Sequence, residues 1–206
     1  MHRGKFITIE GLEGAGKTCN IPYIQELLAA KGIELMQTRE PGGTEMGEAI
    51  RELLISTDLP TMHEDTELLL MFAARTEHLR KKIEPALAAG KWVLCDRFTD
   101  ASYAYQGAGR GIPLQRIAQL ETWVQGSLRP DYTLLFDVDA ETGLGRAHSR
   151  GETDRFEEED IDFFNRVREQ YLNMAEAEPQ RYSIINTVVE LPQVRQQLKQ
   201  VIDNIV

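Results

Sequence analysis

The hydrophobic positions along this chain alternate between two patterns. Short, nearly continuous apolar runs predict strands that are buried on both faces of a sheet, at residues 6–10, 34–38, 92–95, 132–138 and 182–185. Longer helix-like segments lie between them, near residues 21–31, 45–55, 66–89, 114–127, 140–148, 160–178 and 191–205. The alternation predicts a doubly wound α/β fold, with a five-stranded parallel sheet flanked by helices. Ligands of such folds bind beyond the carboxyl ends of the strands.

The turn after the first predicted strand carries the most specific chemical pattern. Residues 11–18 match G-x-x-x-x-G-K-[ST] between a strand and a helix, the context of a phosphate-binding loop. Glycines let the backbone wrap around an anion, and N–H groups at the helix start point at it. Lys17 is expected to reach the β- and γ-phosphates of ATP, while the Thr18 hydroxyl helps to hold Mg²⁺. The alternative is a glycine-rich turn without a ligand. The predicted ATP-binding residues are Gly11, Leu12, Glu13, Gly14, Ala15, Gly16, Lys17 and Thr18.

Composition narrows the possible partners. The 206 residues suffice for one domain with a full core, and 23 basic against 33 acidic residues give a net charge of −10. This balance argues against general binding to DNA or RNA, which needs a basic face. No apolar run approaches a membrane span, and because the N-terminus leads straight into a predicted strand, we expect no signal peptide. Cys19 and Cys95 are too few for a disulfide framework. We therefore expect a cytoplasmic protein with no membrane or nucleic-acid partner.

Charged residues follow the second and third predicted strands. Asp96 ends an apolar strand beside the phosphate loop, where an acidic side chain commonly helps to hold Mg²⁺. Arg97 offers a planar fork for phosphate oxygens. Residues 38–44 form a loop that predicts a phosphate-binding arginine, with Arg51 two turns into the helix that Thr44 could cap. The alternatives are a surface ion pair and an ordinary turn.

Two further segments are candidates for nucleoside recognition. Arg75 can share a helix face with Met71 or Phe72, and an arginine beside an aromatic ring suits the carbonyl edge of a base. Residues 104–111 place a phenol and an amide beside three glycines, which predicts base or sugar recognition next to a flexible loop. Core packing of the helix and an ordinary turn are the alternatives.

A polar segment, residues 150–155, lies between two predicted helices and carries arginine at both ends. One interpretation is a mobile lid that brings arginines onto transferring phosphates. The other is a solvated connector. We place the lid at about residues 146–158, within a single domain of residues 1–206.

Taken in order, these segments resemble the thymidylate kinases, a family of P-loop nucleoside monophosphate kinases that make dTDP from dTMP and ATP. The resemblance rests on residues 10–18, 38–44, 95–98 and 104–107 and runs over nearly the whole chain. It is similar to the bacterial branch, in which the lid rather than the phosphate loop supplies an arginine. Glu13 in the loop and Arg146, Arg150 and Arg155 at the lid agree with that branch. The resemblance implies dTMP and ATP as substrates, Mg²⁺ as cofactor, and a homodimer.

The resemblance also implies residue roles. Glu13 would contact the deoxyribose 3′-hydroxyl, Arg51 and Arg97 the phosphate of dTMP, and Arg75 the O4 of thymine. The family commonly has phenylalanine where this chain has Met71, so whether Met71 or Phe72 faces the base stays open. The implied catalytic residues are Lys17, Arg97 and Arg150, and the implied metal-binding residues are Thr18 and Asp96. The implied substrate-binding residues are Glu13, Arg39, Arg51, Phe72, Arg75, Arg97, Ser102, Tyr105 and Gln106.

The predicted reaction is in-line transfer of the ATP γ-phosphoryl group to the 5′-phosphate of dTMP. Its acceptor is already ionised, so positioning and charge neutralisation supply the rate and no general base is needed. One alternative is a kinase for a deoxynucleoside or a different monophosphate. Another is a GTPase-like switch, which predicts an Asn-Lys-x-Asp segment that this sequence does not contain. Preference between dTMP and dUMP stays open.

Overall fold

Parallel strands form the centre of the molecule. A computed structural model describes residues 3–149, 155–156 and 159–206, and within them it shows one five-stranded sheet in the order β2-β3-β1-β4-β5. All neighbouring strands are parallel, so the predicted fold class is confirmed. The strands are β1 Phe6–Gly11, β2 Leu35–Arg39, β3 Trp92–Asp96, β4 Tyr132–Asp137 and β5 Tyr182–Asn186.

The central strand, β1, is buried along its whole length between β3 and β4. Its register pairs Ile9 with Asp96 of β3 and Gly11 with Phe136 of β4. The turn that follows β1 therefore lies directly beside the carboxyl end of β3. This topology brings the predicted phosphate loop next to Asp96 and the residue after it.

Helices cover both faces of the sheet. None of those in the described ranges is long and apolar enough to cross a bilayer. π-helical turns at Leu79–Ile83 and Tyr103–Gly109 extend two of the helices. The helices are α1 Lys17–Ala30, α2 Glu45–Ile55, α3 Glu64–His78, α4 Glu84–Ala88, α5 Thr99–Ser102, α6 Leu114–Gln125, α7 Ala140–His148, α8 Ile161–Ala177 and α9 Leu191–Ile205.

Alternation along the strands divides the core into two hydrophobic clusters. Ile7 and Ile9 of β1 point into the larger one, which also holds buried side chains of α1, α8 and α9. Phe6 points into the other, together with side chains of α3, α4 and α6. Cys95 of β3 belongs to that second cluster and is a free, buried thiol, as expected for a small apolar residue at a strand end.

The segment that follows β3 differs from the prediction. Instead of a flexible loop around Tyr105 and Gln106, residues 99–109 form α5 and a π-helical turn, and both side chains are buried. The glycines serve close packing here. A Cβ on Gly107 would lie 2.5 Å from Leu114, and one on Gly109 would lie 2.5 Å from Phe163. The predicted flexible loop is therefore wrong, because a single-sequence pattern does not reveal such neighbours.

Two substitutions on α9 test the core. Leu198 is fully buried in the larger cluster, whereas 45% of Leu191 on the same helix is exposed. We expect Leu198→Ala to lower the free energy of unfolding by about 2–5 kcal/mol, because it leaves a cavity. Leu191→Ala should change it by about 0.5 kcal/mol or less. Urea unfolding measures both values, and equal losses would contradict the assigned orientation of α9.

Candidate active site

The loop after β1 has the backbone of an anion-binding turn. Gly14 and Gly16 adopt left-handed conformations, with φ of 67° and 86°. A Cβ on Gly14 would overlap the carbonyl oxygen of Gly143 in α7, so this position requires glycine. Residues 13–19 line a cavity, and α1 starts within them at Lys17. N–H groups at the start of α1 are thus available to a bound phosphate.

The amino group of Lys17 is buried at the base of this loop. Nζ donates hydrogen bonds to the carbonyl oxygens of Gly11 at 2.9 Å and Leu12 at 2.7 Å. These bonds fix the amino group of Lys17 against the backbone at the start of the loop. Burial, together with the positive charge of Arg97, lowers the pKa of Lys17 to about 8. An incoming phosphate would favour the charged form, which couples binding to protonation.

Thr18 and Asp96 line the same cavity as the phosphate loop. Oδ1 of Asp96 is buried and has no hydrogen-bond partner in the described ranges, and the side chain of Thr18 is exposed. Those ranges contain no group of three His, Cys, Asp or Glu side chains suited to a metal. The donor set therefore fits Mg²⁺ held jointly by protein, water and phosphate oxygens rather than a protein-only site.

Arg97 follows β3 with a left-handed backbone, at φ 65°, which is unfavourable for a residue with a side chain. Two hydrogen bonds hold the turn in place. Its own N–H donates to the carbonyl of Ile9 at 2.9 Å, and the N–H of Phe98 donates to Glu10 at 2.7 Å. The buried carboxyl of Glu10 also accepts from the hydroxyl of Tyr171 at 2.7 Å.

The side chain of Arg97 contacts both the phosphate loop and the helical segment that follows β3. Its Nη2 donates to Oε1 of Glu13 at 2.7 Å, and its guanidinium lies 4.7 Å from the ring centroid of Tyr105. The Tyr105 hydroxyl donates to the other oxygen of Glu13 at 2.5 Å. Burial opposes ionisation of Glu13, but the charges of Arg97 and Lys17 and the Tyr105 hydroxyl outweigh it and lower the pKa of Glu13. Glu13 is therefore a carboxylate.

A second cavity opens beside the phosphate loop. The structure brings together there every predicted substrate-binding residue except Phe72. Arg39 is tied to Glu48 at 2.7 Å, and Arg51 donates to the carbonyl of Pro41 at 3.2 Å. The lining residues include Glu13, Arg39, Glu40, Pro41, Arg51, Met71, Arg75, Arg97, Ser102, Tyr105, Gln106 and Phe156.

Arg75 is held in one orientation at this cavity and is almost fully buried. Its Nε donates to Glu40 at 2.7 Å, and its Nη2 donates to the carbonyl of Phe98 at 3.1 Å and to Ser102 at 3.0 Å. The remaining nitrogen, Nη1, is buried and has no partner in the described part of the chain. A ligand atom that accepts hydrogen bonds can therefore become the missing partner of Nη1.

Two adjacent residues of α3, Met71 and Phe72, face different surroundings, as expected for neighbours on a helix. Met71 lines the cavity, whereas the ring of Phe72 is buried in the second hydrophobic cluster. The Phe72 ring centroid lies 4.6 Å from the guanidinium carbon of Arg75 and supports it from the core side. Phe72, predicted as a substrate contact, thus lies on the core side of α3 and Met71 on the cavity side, because one residue turns a helical side chain by about 100°.

Arginines of the predicted lid lie in different places. Arg146 lines the phosphate-loop cavity and donates to the carbonyl of Thr187 at 3.0 Å. Arg155 pairs with the buried Glu67 at 2.7 Å, and the adjacent Phe156 lines the second cavity. Arg150, the predicted catalytic lid residue, lies outside the described residues.

Sequence reasoning missed Glu40, Glu67, His78 and Phe156 as parts of the site. Glu67 accepts from Gln106 at 2.8 Å as well as from Arg155 and Arg110. These partners are 39 or more residues apart in sequence. A single sequence has no local signal for such pairs.

Comparisons with known proteins agree on one family. The family model for thymidylate kinase matches residues 9–198. The chain is 55% identical over 199 residues to a thymidylate kinase of Ruthia magnifica subsp. Calyptogena magnifica, covering 97% of each chain. It is 60% identical over 182 residues to one of Alkalilimnicola ehrlichii, covering 88% of this chain and 84% of the relative.

A solved structure shows the same architecture. The crystal structure of thymidylate kinase from Ehrlichia chaffeensis matches with a TM-score of 0.80 and 33% identity, covering 99% of this chain and 100% of that chain. The chain belongs to the thymidylate kinase family. The family expected from the sequence is thereby confirmed, and this family consists of nucleotide-binding kinases.

Glu10 gives a pH-dependent test of this site. Burial and the nearby charge of Asp100 raise the pKa of Glu10 from 4.5 to about 8, against the opposing effects of Tyr171 and Arg97. Between these pH values the folded state holds a proton that the unfolded state has lost, so stability falls as pH rises. The free energy of unfolding of the wild type minus that of Glu10→Gln should decrease from pH 4.5 to pH 8. Denaturant unfolding across this window measures the difference. A constant or increasing difference would mean that Glu10 is ionised throughout.

Proposed function

We propose that this protein transfers the γ-phosphoryl group of ATP to dTMP and releases dTDP and ADP. The observation that carries the proposal is that the two cavities share one set of charged residues. Glu13, Arg51, Asp96 and Arg97 line both the phosphate-loop cavity and the second cavity. Two nucleotides bound in these cavities would therefore meet with their phosphates at the shared residues.

The phosphate loop forms the binding site for ATP, the phosphoryl donor. The triphosphate of ATP binds the N–H groups of residues 13–18, and Lys17 contacts its terminal phosphates. Thr18 and Asp96 would hold Mg²⁺, which neutralises phosphate charge when bound. Arg146 lines the same cavity and adds positive charge. Arg150 of the lid remains the predicted catalytic arginine.

The acceptor side has a charged end and a base end. Arg97 and Arg51 would bind the 5′-phosphate of dTMP, with Arg39 at the edge of the same cavity. Glu13 can accept from the sugar hydroxyl because a carboxylate has lone pairs beyond the two used by Arg97 and Tyr105. At the other end, Met71 packs against the base.

The reaction needs positioning rather than a base catalyst. The phosphate of dTMP is already an anionic nucleophile, so the protein must hold it in line with the γ-phosphorus and offset the charge repulsion. Lys17 of the phosphate-loop cavity and Arg97, which lines both cavities, supply that charge. Their fixed hydrogen bonds keep the charges in place before substrate arrives.

Apolar side chains on three packed helices support a homodimer. α3 contacts both α2 and α6. Exposed large apolar residues lie on all three, among them Leu53, Leu69 and Trp123, and the last is 81% exposed. Such side chains are costly to leave in water, and a second copy of the chain would cover them.

A substrate panel tests the proposed reaction. Product analysis with ATP and Mg²⁺ over dTMP, dUMP, dCMP, AMP and thymidine should show dTDP as the main product. Lys17→Ala should lower kcat by at least about 100-fold, because it removes positive charge from the transferring phosphate. Lys91→Ala is the matched control, since this partly exposed lysine pairs only with Glu34 in the described ranges. Preferred turnover of another acceptor, or full activity of Lys17→Ala, would refute the proposal.

Trp123→Glu tests the dimer. A charge within the proposed apolar contact should convert the protein to monomers, measured as a halved mass by sedimentation or light scattering. Ile184→Glu is the control, because Ile184 is also apolar and exposed but lies on the edge strand β5. Dimers that persist in Trp123→Glu would place the interface elsewhere.

A further inference from the structure

A chain of buried polar side chains lies behind Arg75. Glu40 accepts from Arg75 Nε at 2.7 Å through one oxygen and contacts Nδ1 of His78 at 2.9 Å through the other. Nε2 of His78 lies 2.6 Å from the hydroxyl of Thr38. Arg75, Glu40 and His78 are 2%, 5% and 0% exposed. None of these contacts reaches a phosphate-binding residue of the proposed mechanism.

The hydrogen-bond roles along this chain are fixed by chemistry. Glu40 is an acceptor for Arg75, so Nδ1 of His78 must carry the proton that it shares with the second carboxylate oxygen. Nε2 can then accept a hydrogen bond from the hydroxyl of Thr38. Both oxygens of Glu40 are engaged, and its negative charge balances the buried guanidinium.

The environment of Arg75 makes this counter-ion necessary. The rings of Phe72 and Phe98 lie 4.6 Å and 5.2 Å from its guanidinium carbon, on a side chain that is almost fully buried. Ser102 and a backbone carbonyl hold Nη2, so Glu40 is the carboxylate that fixes the Nε edge of the fork. The three anchored contacts define the direction of Nη1, the nitrogen left for a ligand.

His78 fastens the loop that carries Glu40. It is the last residue of α3, the helix that carries Arg75, whereas Glu40 belongs to the loop after β2. A Cβ on Gly43 of this loop would lie 2.5 Å from the imidazole, so the loop packs directly on the ring. The loop after β2 and the end of α3 are therefore joined by buried polar contacts at His78.

We infer that Glu40 and His78 are positioning residues that fix Arg75 so that Nη1 selects pyrimidine nucleotides with a carbonyl, rather than an amino group, at the 4-position. This inference rests on the proposed function. The nitrogen atoms of arginine only donate hydrogen bonds. A 4-oxo group can accept one from Nη1, whereas a 4-amino group is itself a donor and cannot. Selection of this kind requires a guanidinium that cannot turn away, and Glu40, held by His78, prevents it from turning.

The test compares dTMP with 5-methyl-dCMP, which has a 4-amino group in place of the 4-oxo group and therefore lacks the hydrogen on N3. Titration calorimetry gives the dissociation constant of each for the wild type and for variants, and a kinase assay gives kcat at saturating dTMP. Glu40→Gln should weaken dTMP binding and reduce the ratio of the two dissociation constants by about tenfold, the effect of a buried hydrogen bond to a charged group. The kcat should fall less than the affinity.

Two substitutions of His78 separate its two hydrogen bonds. Asn places its amide near the position of Nδ1 and can still donate to Glu40, whereas Gln places it near Nε2 and reaches Thr38 instead. We expect His78→Asn to keep most of the selectivity and His78→Gln to lose it. Glu48→Gln is the matched control. Its carboxylate binds the same loop through the N–H of Gly43 at 2.8 Å but does not contact Arg75, so both nucleotides should be affected alike.

Each outcome decides one question. A wild type that does not phosphorylate dTMP refutes the proposed function. A wild type that does so, with ratios unchanged in Glu40→Gln and His78→Gln, overturns this inference alone, because the two residues would then only support the fold. Thermal unfolding identifies a variant that does not fold, and the Asn and Gln pair at position 78 still decides the matter in that case.

Discussion

The ion pair between Glu13 and Arg97 is the contact on which the rest of the site depends. It joins the phosphate loop after β1 to the turn after β3, and both residues line both cavities. The sheet order makes the pair possible, because β1 and β3 are neighbours whose carboxyl ends meet. Tyr105 then binds the free oxygen of Glu13 and stacks beside Arg97, which ties the helical segment after β3 to the same point. The ion pair thus lies where the two cavities meet.

An acidic protein that binds two anions needs positively charged side chains at the binding site itself. The chain carries a net charge of −10, yet the cavities hold Lys17, Arg51, Arg75 and Arg97. Two of the arginines have a carboxylate partner within 2.7 Å, Glu40 for Arg75 and Glu13 for Arg97. These partners reduce repulsion among buried cations and orient each fork, while leaving nitrogen atoms for a ligand.

The sequence predicted what depends on local pattern. Apolar runs placed the five strands almost to the residue, since a strand buried on both faces needs such a run. The start of α1 was misplaced, at residue 21 rather than Lys17, because the phosphate loop and the first helical turn share polar residues. The pairing of Glu67 with Arg155 lies across 88 residues and has no local signature. Met71 and Phe72 are equally apolar neighbours in the sequence, and only the positions of the cavity and the core on opposite sides of α3 distinguish them.

The backbone of Arg97 shows where function overrides local preference. At φ 65° a glycine would avoid the steric cost of about 1–2 kcal/mol that a side chain brings. Glycine could not reach Glu13 or line both cavities. The cost is offset by a hydrogen bond from Arg97 to Ile9 and by the bond from Phe98 to the buried Glu10, whose pKa is itself raised by burial. Two unfavourable features, a strained turn and a buried acid, are thus placed together, and both serve to aim one guanidinium at the junction of the cavities.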